Sequence, residues 1–394
     1  MQNSVYEKFG VHPIINCVGY ATRVGGSAPD SHVIDAMSRA MLEDVEIDDL
    51  QAAASECIAR HTGAQGGIVT CGAAAALTLS AAACLAGNDP DRMDELPNSA
   101  NCPRNRIIYP VLGPYDYDHA IRLSGAVVDS VDYESPGALD RIESAITPRT
   151  AAIGYVWQHF GQMPDLGELR DLAHRHDLPL IVDAALSLPP TKHLRLFIQQ
   201  GADLVTLSGG KHLGGPQASG LLFGRLDLVR SAWVQMVDMD IRPGTWSLRS
   251  WMDSGWIRRP PRNGIGRSMK VSKEAIVGVL TALERYSSRD HSGELQLWHR
   301  RIERLGELLG NLKGLSLQSL FPARNGQPFP VLRLHCQQME KVIHQLRQSC
   351  PPVILAEDET DPQLAYIYPM RLRDEDVERI GGVFIQIFKD YIQR

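Results

Sequence analysis

Between about residue 66 and residue 236, short runs rich in Val, Ile and Tyr alternate with helical periodicity, and no other feature constrains the fold as strongly. Successive βα units lay helices against the faces of a mostly parallel sheet. The spacing predicts strands over 67–70, 106–111, 126–131, 150–157, 179–182, 203–207 and 219–223. Helices are expected between most of them, including Ala73–Ala86 and 166–176. The expected fold class is α/β, with a mostly parallel seven-stranded sheet in a large domain. Residues 241–266 crowd Arg, Trp, Pro and Gly together with little periodicity and read as an irregular connection, a candidate wall for an active site. Beyond them come helical patterns over 272–287 and 293–312, strand signals near 314–319, 329–335, 352–356 and 364–368, and a last helix over 374–391. A smaller α+β C-terminal domain over 266–394 is expected, following a large domain over 1–265.

Composition excludes several alternatives. The chain has 394 residues, 44% of them hydrophobic and 22% charged, enough apolar material for packed cores and no case for disorder. Forty Lys and Arg stand against 46 Asp and Glu, a formal net charge of -6, so the basic footprint of a general nucleic-acid binder is missing. Cysteines 17, 57, 71, 84, 102, 336 and 350 form no C-x-x-C pair, which indicates neither a disulfide framework nor a zinc knuckle. The opening MQNSVYEKFG lacks a basic stretch followed by an apolar one, and a reducing cytoplasm is expected. Residues 61–88 carry no formal charge, but the stretch is Ala-rich and broken by Gly63, Gly66, Gly67 and Gly72. It reads as a buried strand, turn and helix rather than a membrane span.

Three segments carry candidate chemistry. In DLVTLSGGKHLGGPQASGLLFGR (203–225), a strand ends at Ser208 and a lone Lys211 sits among Gly209, Gly210, Gly214 and Gly215. Glycines let backbone approach a bound group closely, and the lysine amine can form a Schiff base with a carbonyl cofactor. A glycine-rich turn carrying a solvated lysine is the plainer alternative. In LPLIVDAALSLPP, an apolar strand ends in Asp183, and a carboxylate at the carboxyl end of a central parallel strand points into the ligand crevice of such sheets. An ordinary cap or turn former would look the same. In IVTCGAAAAL, a strand runs into a helix starting near Gly72, where the N–H groups of Gly72, Ala73 and Ala74 suit a phosphate dianion. Plain helix–sheet packing is again the alternative. Arg23, Arg267 and Lys270 are candidates for binding an anionic substrate, because a carboxylate or phosphate needs fixed positive donors.

Phosphate helix, acid and lysine follow one another in a single βα domain, and the chain resembles fold-type I pyridoxal-phosphate enzymes. Within them it is similar to the family of bacterial selenocysteine synthase, which includes D-glucosaminate-6-phosphate ammonia-lyase-like proteins. The resemblance rests on PIINCVGYATRVGGS (13–27), residues 49–87, VDAALSLPP (182–190), SGGKHLGGPQ (208–217) and GIGRSMKVSKE (264–274), and so spans nearly the whole chain. It implies pyridoxal 5'-phosphate as cofactor, joined to Lys211, with Asp183 on the pyridine nitrogen and the phosphate held by Gly72, Ala73, Ala74 and Ser208. It further implies an aromatic or flat side chain against the ring, for which Tyr115, Tyr117 and His119 are candidates, and a donor to the ring oxygen, for which Gln158 and His159 are candidates. Arg371 follows the last strand, where such small domains often supply a carboxylate-binding arginine.

The activity implied is that of a lyase. Lys211 removes the α-proton of a small amino acid, with D-configured, β-hydroxylated and phosphorylated ones among the candidates, and elimination of a β-substituent releases a keto acid and ammonia. Aldol cleavage, racemisation, a selenocysteine synthase-like transfer and a catalytically silent binding module are the alternatives. The acidic charge and the start of the family motif near residue 10 set tRNA-linked chemistry below small-molecule lyase chemistry. A homo-oligomer, dimer or higher, is expected, with no nucleic-acid or membrane partner.

Overall fold

The computed structural model describes residues 4–110, 117–157 and 163–392. These fall into two compact units, one formed by 28–288 and the other by 1–27 together with 289–394.

The chain enters the smaller unit through a short buried strand, β1 (Ile15–Cys17). The larger unit then supplies β2 (Gly66–Thr70), β3 (Arg106–Pro110), β4 (Val127–Val131), β5 (Thr150–Val156), β6 (Leu180–Asp183), β7 (Leu204–Ser208) and β8 (Gly220–Gly224). They form one sheet in the order β2-β8-β7-β6-β5-β3-β4. Only β8 runs against its neighbours, pairing antiparallel with both β2 and β7, while the other pairs are parallel. The central strand β6 is buried along its whole length. That is why its sequence, LIVD, shows no alternation: both faces are covered by helices. Each of the seven strands of this sheet agrees with its expected position to within a residue, whereas β1 is not among the expected strands.

The helix Ala73–Ala86 is buried on nearly every side from Ala75 to Ala86. Its run of alanines keeps the helix thin enough to lie between the sheet and neighbouring helices. The uncharged stretch 61–88 therefore folds as a buried strand, turn and helix, and no described helix is long and apolar enough to cross a membrane. On the opposite face of the sheet, Val33, Ala54, Ile58, Val69, Leu180, Leu207, Leu213, Val279 and Leu283 share one core. Each large aliphatic side chain buried there contributes about 1.5–3 kcal/mol.

The smaller unit closes a second sheet from β1, β9 (Ser316–Leu320), β10 (Val331–His335), β11 (Val353–Glu357) and β12 (Leu364–Ile367), in the order β1-β11-β12-β10-β9. Its division from the larger unit differs from the one read at 265/266. The N-terminal segment joins the smaller unit because β1 pairs in parallel with β11, Ile15 opposite Val353 and Cys17 opposite Leu355, and buries both residues. The helix Lys273–Ser288 stays with the larger unit because Ile276, Val279, Ala282, Leu283 and Tyr286 lie in its core. Composition shifts at the irregular segment near 241–266, but the core does not end there. Within that segment Trp251 meets Trp233 and Trp256 edge to face at 5.2 and 5.4 Å, and these contacts tie it to the preceding helix Leu226–Val234.

Close strand packing depends on Gly154 in β5, where an added Cβ would lie 2.4 Å from Cδ2 of the buried Tyr109. Gly154→Ala is expected to cost about 1–3 kcal/mol of stability. Thermal or denaturant unfolding checks this, and an unchanged midpoint would contradict the packing described.

Candidate active site

The strand register gathers one set of residues at one end of the larger sheet. Thr70 at the end of β2 lies opposite Gly220, which in turn lies opposite Ser208 at the end of β7. Two residues deeper, Thr206 of β7 pairs with Asp183, and Asp183 pairs with Val156 at the end of β5. This is the carboxyl end of the parallel strands, where open α/β sheets form their ligand crevice.

Past Thr70 the chain turns through Gly72 into the helix Ala73–Ala86, and no side chain caps that helix. Its first N–H groups are therefore directed at whatever occupies the space in front of them. Gly72 has φ 141°, a conformation that side-chain-bearing residues rarely adopt, and a Cβ there would meet nothing within 4 Å. The turn is fixed from two sides. The Thr70 hydroxyl donates to the Gly72 carbonyl at 2.9 Å, and Gly220 of β8 packs so closely that a Cβ on it would lie 2.5 Å from Gly72 C and 2.7 Å from Ala73 N. Open space, free amides and the positive end of a helix dipole together fit a phosphate.

Lys211 projects from the connection between β7 and β8, which is folded tightly on itself. Gly209 N–H donates to Ser219 O at 2.9 Å, Gly215 N–H to Gly209 O at 2.9 Å and Gly214 N–H to Lys211 O at 3.1 Å. Added Cβ atoms would lie 2.2 Å from Ser219 Oγ at Gly209 and 2.4 Å from Gln217 O at Gly210. The next residue, His212, is buried and meets Tyr286 edge to face at 5.8 Å. The lysine is thus half-buried on a rigid support, not on a solvated turn.

Asp183 is 6% exposed. Its Oδ1 accepts the Ala185 N–H at 3.0 Å, so it does shape the following turn as well. Burial raises its pKa, against the pull of that N–H and of the Lys211 ammonium. Burial lowers the pKa of Lys211, and the Asp183 carboxylate opposes the shift. Each group is thus pushed toward its neutral form and partly restored by the other. An aromatic N–H⁺ beside Asp183 would supply a cation that keeps the carboxylate ionised, and a neutral Lys211 amine is the form that attacks an aldehyde. Phosphate cradle, acid and amine therefore fit pyridoxal phosphate.

The remaining expected residues are distributed as follows. Tyr117 is 55% exposed at the start of the short helix Asp118–Arg122, and His119 is exposed in its first turn. Tyr115, Gln158 and His159 lie outside the described residues. Arg267 and Lys270 belong to the larger unit. Gly266 beside them packs on Leu79 of the buried helix, and Arg267 is held by Asp238 at 2.6 Å, while Lys270 is exposed. Arg23 and Arg371 belong to the smaller unit. Arg23 is exposed and donates to Leu355 O at 3.3 Å. Arg371 is half-buried, with an Nε that makes no hydrogen bond among the described residues and a pKa lowered by burial. Sequence reasoning passed over Thr70 and Gly220, whose importance lies in a cross-strand register that no local pattern shows.

Residues 51–196 match the DegT/DnrJ/EryC1/StrS aminotransferase family. A Streptomyces 5'-C-glycyluridine monooxygenase-decarboxylase is 31% identical over 324 residues, 80% of this chain and 73% of that protein. The D-glucosaminate-6-phosphate ammonia lyase of Salmonella typhimurium is 29% identical over 324 residues, 80% of this chain and 78% of that protein. A solved structure of a D-glucosaminate-6-phosphate ammonia-lyase superposes with a TM-score of 0.81 at 24% identity, covering 99% of both chains.

Gly220→Ala is expected to press on the Gly72–Ala73 turn and weaken the hold on a phosphate-bearing cofactor by about tenfold or more, the loss of one charge-assisted hydrogen bond. Titrating the apoprotein with cofactor measures this, and an unaltered affinity would contradict the packing of the cradle.

Proposed function

From the premise that this chain belongs to the fold-type I pyridoxal-phosphate family of selenocysteine synthase-like and D-glucosaminate-6-phosphate ammonia-lyase-like enzymes, we propose that it is a lyase of a small amino acid. It removes the α-proton, eliminates a β-substituent and releases a keto acid and ammonia. Pyridoxal 5'-phosphate is its cofactor. The observation that carries this reading is the pairing of Asp183 with Lys211, each shifted toward its neutral form by burial and toward its charged form by the other.

When bound, the cofactor supplies an electron sink for the charge left as the α-proton departs. The chain's own residues do the rest. The N–H groups of Gly72, Ala73 and Ala74 would hold the phosphate, and Ser208 is assigned to assist them. Asp183 keeps a proton on the ring nitrogen. Lys211 would hold the cofactor through its amine, and that amine would take the α-proton of the substrate on Nζ. Tyr117 and Gln158 are assigned to the ring face and ring oxygen. Arg267 and Lys270, which belong to the same unit as Lys211, are assigned to the anionic groups of the substrate. Arg267 would exchange Asp238 for substrate.

The relatives' names favour an amino acid bearing hydroxyl groups and a terminal phosphate, such as D-glucosaminate 6-phosphate. The monooxygenase-decarboxylase relative gives a second reading, oxidative loss of the carboxyl group, supported by its slightly higher identity over the same length. Incubating the holoenzyme with D- and L-β-hydroxy amino acids and with D-glucosaminate 6-phosphate separates the two. Equal release of ammonia and keto acid is the result expected. Oxygen uptake with CO2 release would select the second reading, and an aldehyde plus glycine would select aldol cleavage. We further assign the enzyme to the cytoplasm as a homo-oligomer without a nucleic-acid partner, a compartment with which its seven free cysteines agree.

Lys211→Ala is expected to lower kcat by roughly 10²–10⁴-fold, the usual contribution of a positioned base. Activity equal to the parent's would contradict the assignment. Asp183→Asn removes the charge that raises the Lys211 pKa. The rate of cofactor attachment rises as the amine loses its proton, so in this variant that rise is expected at lower pH than in the parent. A pH profile of attachment to the apoprotein checks the sign, and a shift to higher pH would contradict it.

A further inference from the structure

We propose that Gln51, outside the cofactor pocket, is a positioning residue for the cofactor phosphate, acting through the edge of the larger sheet. This role rests on the pyridoxal-phosphate site described above. Strand β2 is the last in its sheet, paired with β8 on one side only, so the backbone groups of alternate residues on its other side need partners. The helix Ile47–Thr62 supplies them from side chains. Val69 N–H donates to Gln51 Oε1 at 2.9 Å, Gln51 Nε2 donates to Val69 O at 2.8 Å, and Gly67 N–H donates to Ser55 Oγ at 3.1 Å.

The spacing explains the fit. Residues four apart on a helix are about 6 Å apart along its axis, and residues two apart on a strand are separated by about 6.8 Å. Gln51 and Ser55 therefore match Val69 and Gly67 rung for rung. Gly67 lets the helix come this close, since a Cβ there would lie 2.6 Å from Ile58 Cγ2.

Of the two rungs, Gln51 is the one next to the cradle. It is 1% exposed, and its amide takes the place of a neighbouring strand by meeting both the N–H and the C=O of Val69. One residue on, the Thr70 hydroxyl holds the Gly72 carbonyl at 2.9 Å, and Gly220 packs against Gly72 and Ala73 with no slack. A displacement of Val69 is transmitted along this short path to the amides that face the phosphate. Gln51 touches neither cofactor nor substrate, so its effect is confined to where those amides point.

The test compares pyridoxal phosphate with pyridoxal, which lacks the phosphate, as ligands of the full-length apoprotein, read by the visible absorbance of the lysine linkage and its loss on borohydride treatment. Gln51→Leu is expected to weaken pyridoxal phosphate by about tenfold or more, as one misplaced charge-assisted hydrogen bond would. Pyridoxal affinity should stay within about twofold, the change left when no such bond is lost. Ser55→Ala removes the rung farther from the cradle and should keep the parent's preference for the phosphorylated ligand. If Gln51→Leu does not fold, Gln51→Glu keeps the acceptor for Val69 N–H but loses the donor to Val69 O, and the same preference should fall by less. Equal weakening of both ligands, or no weakening of either, would overturn the role of Gln51. A parent protein that forms the absorbing linkage with neither ligand would instead sink the cofactor site on which the role depends.

Discussion

A buried carboxyl group, Asp183, and a half-buried amine, Lys211, lie within each other's field at the carboxyl end of the central strands. Water would otherwise solvate both charges; inside the sheet Asp183 is drawn toward its neutral acid and Lys211 toward its neutral amine, with the partner opposing each shift. Folding alone gains little from such a pair, since desolvation offsets much of the attraction. A ligand with a basic ring nitrogen and an aldehyde satisfies both groups at once. The opposed shifts of the pair are those that a cofactor carrying both groups would relieve.

Holding that pair and a phosphate cradle in one crevice requires backbone to approach backbone, and glycine makes this possible. Gly220 lies against the Gly72 turn, and Gly209, Gly210 and Gly215 let the lysine loop fold onto Ser219, Gln217 and Val279. A second device holds the far end of the sheet. Asp203, at the opposite end of β7 from Ser208, is 4% exposed and accepts from Leu180 N–H at 2.8 Å, His174 Nε2 at 2.9 Å and Arg225 Nη1 at 3.1 Å. That network binds β6, β7 and the exit of β8 together at the end of the sheet opposite Ser208 and Asp183.

Much of this was legible in the sequence because the relevant signals are local. A buried parallel strand such as LIVD appears as an unbroken apolar run, and a lysine among glycines after a strand is visible without coordinates. Three features were not legible. The N-terminal strand Ile15–Cys17 finds its partner at Val353–Leu355, more than 300 residues away, so no nearby pattern announces which unit it joins. The helix Lys273–Ser288 follows a change in composition yet packs in the larger core, because burial and not composition sets the boundary. Gln51 and Gly220 matter through side-chain and cross-strand contacts that one-dimensional spacing does not encode.

Chemical trapping tests most directly whether Lys211 carries the cofactor. Reduction of the holoenzyme with borohydride, followed by proteolysis and mass spectrometry of the pyridoxyl-bearing peptide, should place the modification on Lys211 alone. A pyridoxyl group on any other lysine, or a protein that takes up the cofactor without a reducible linkage, would contradict it.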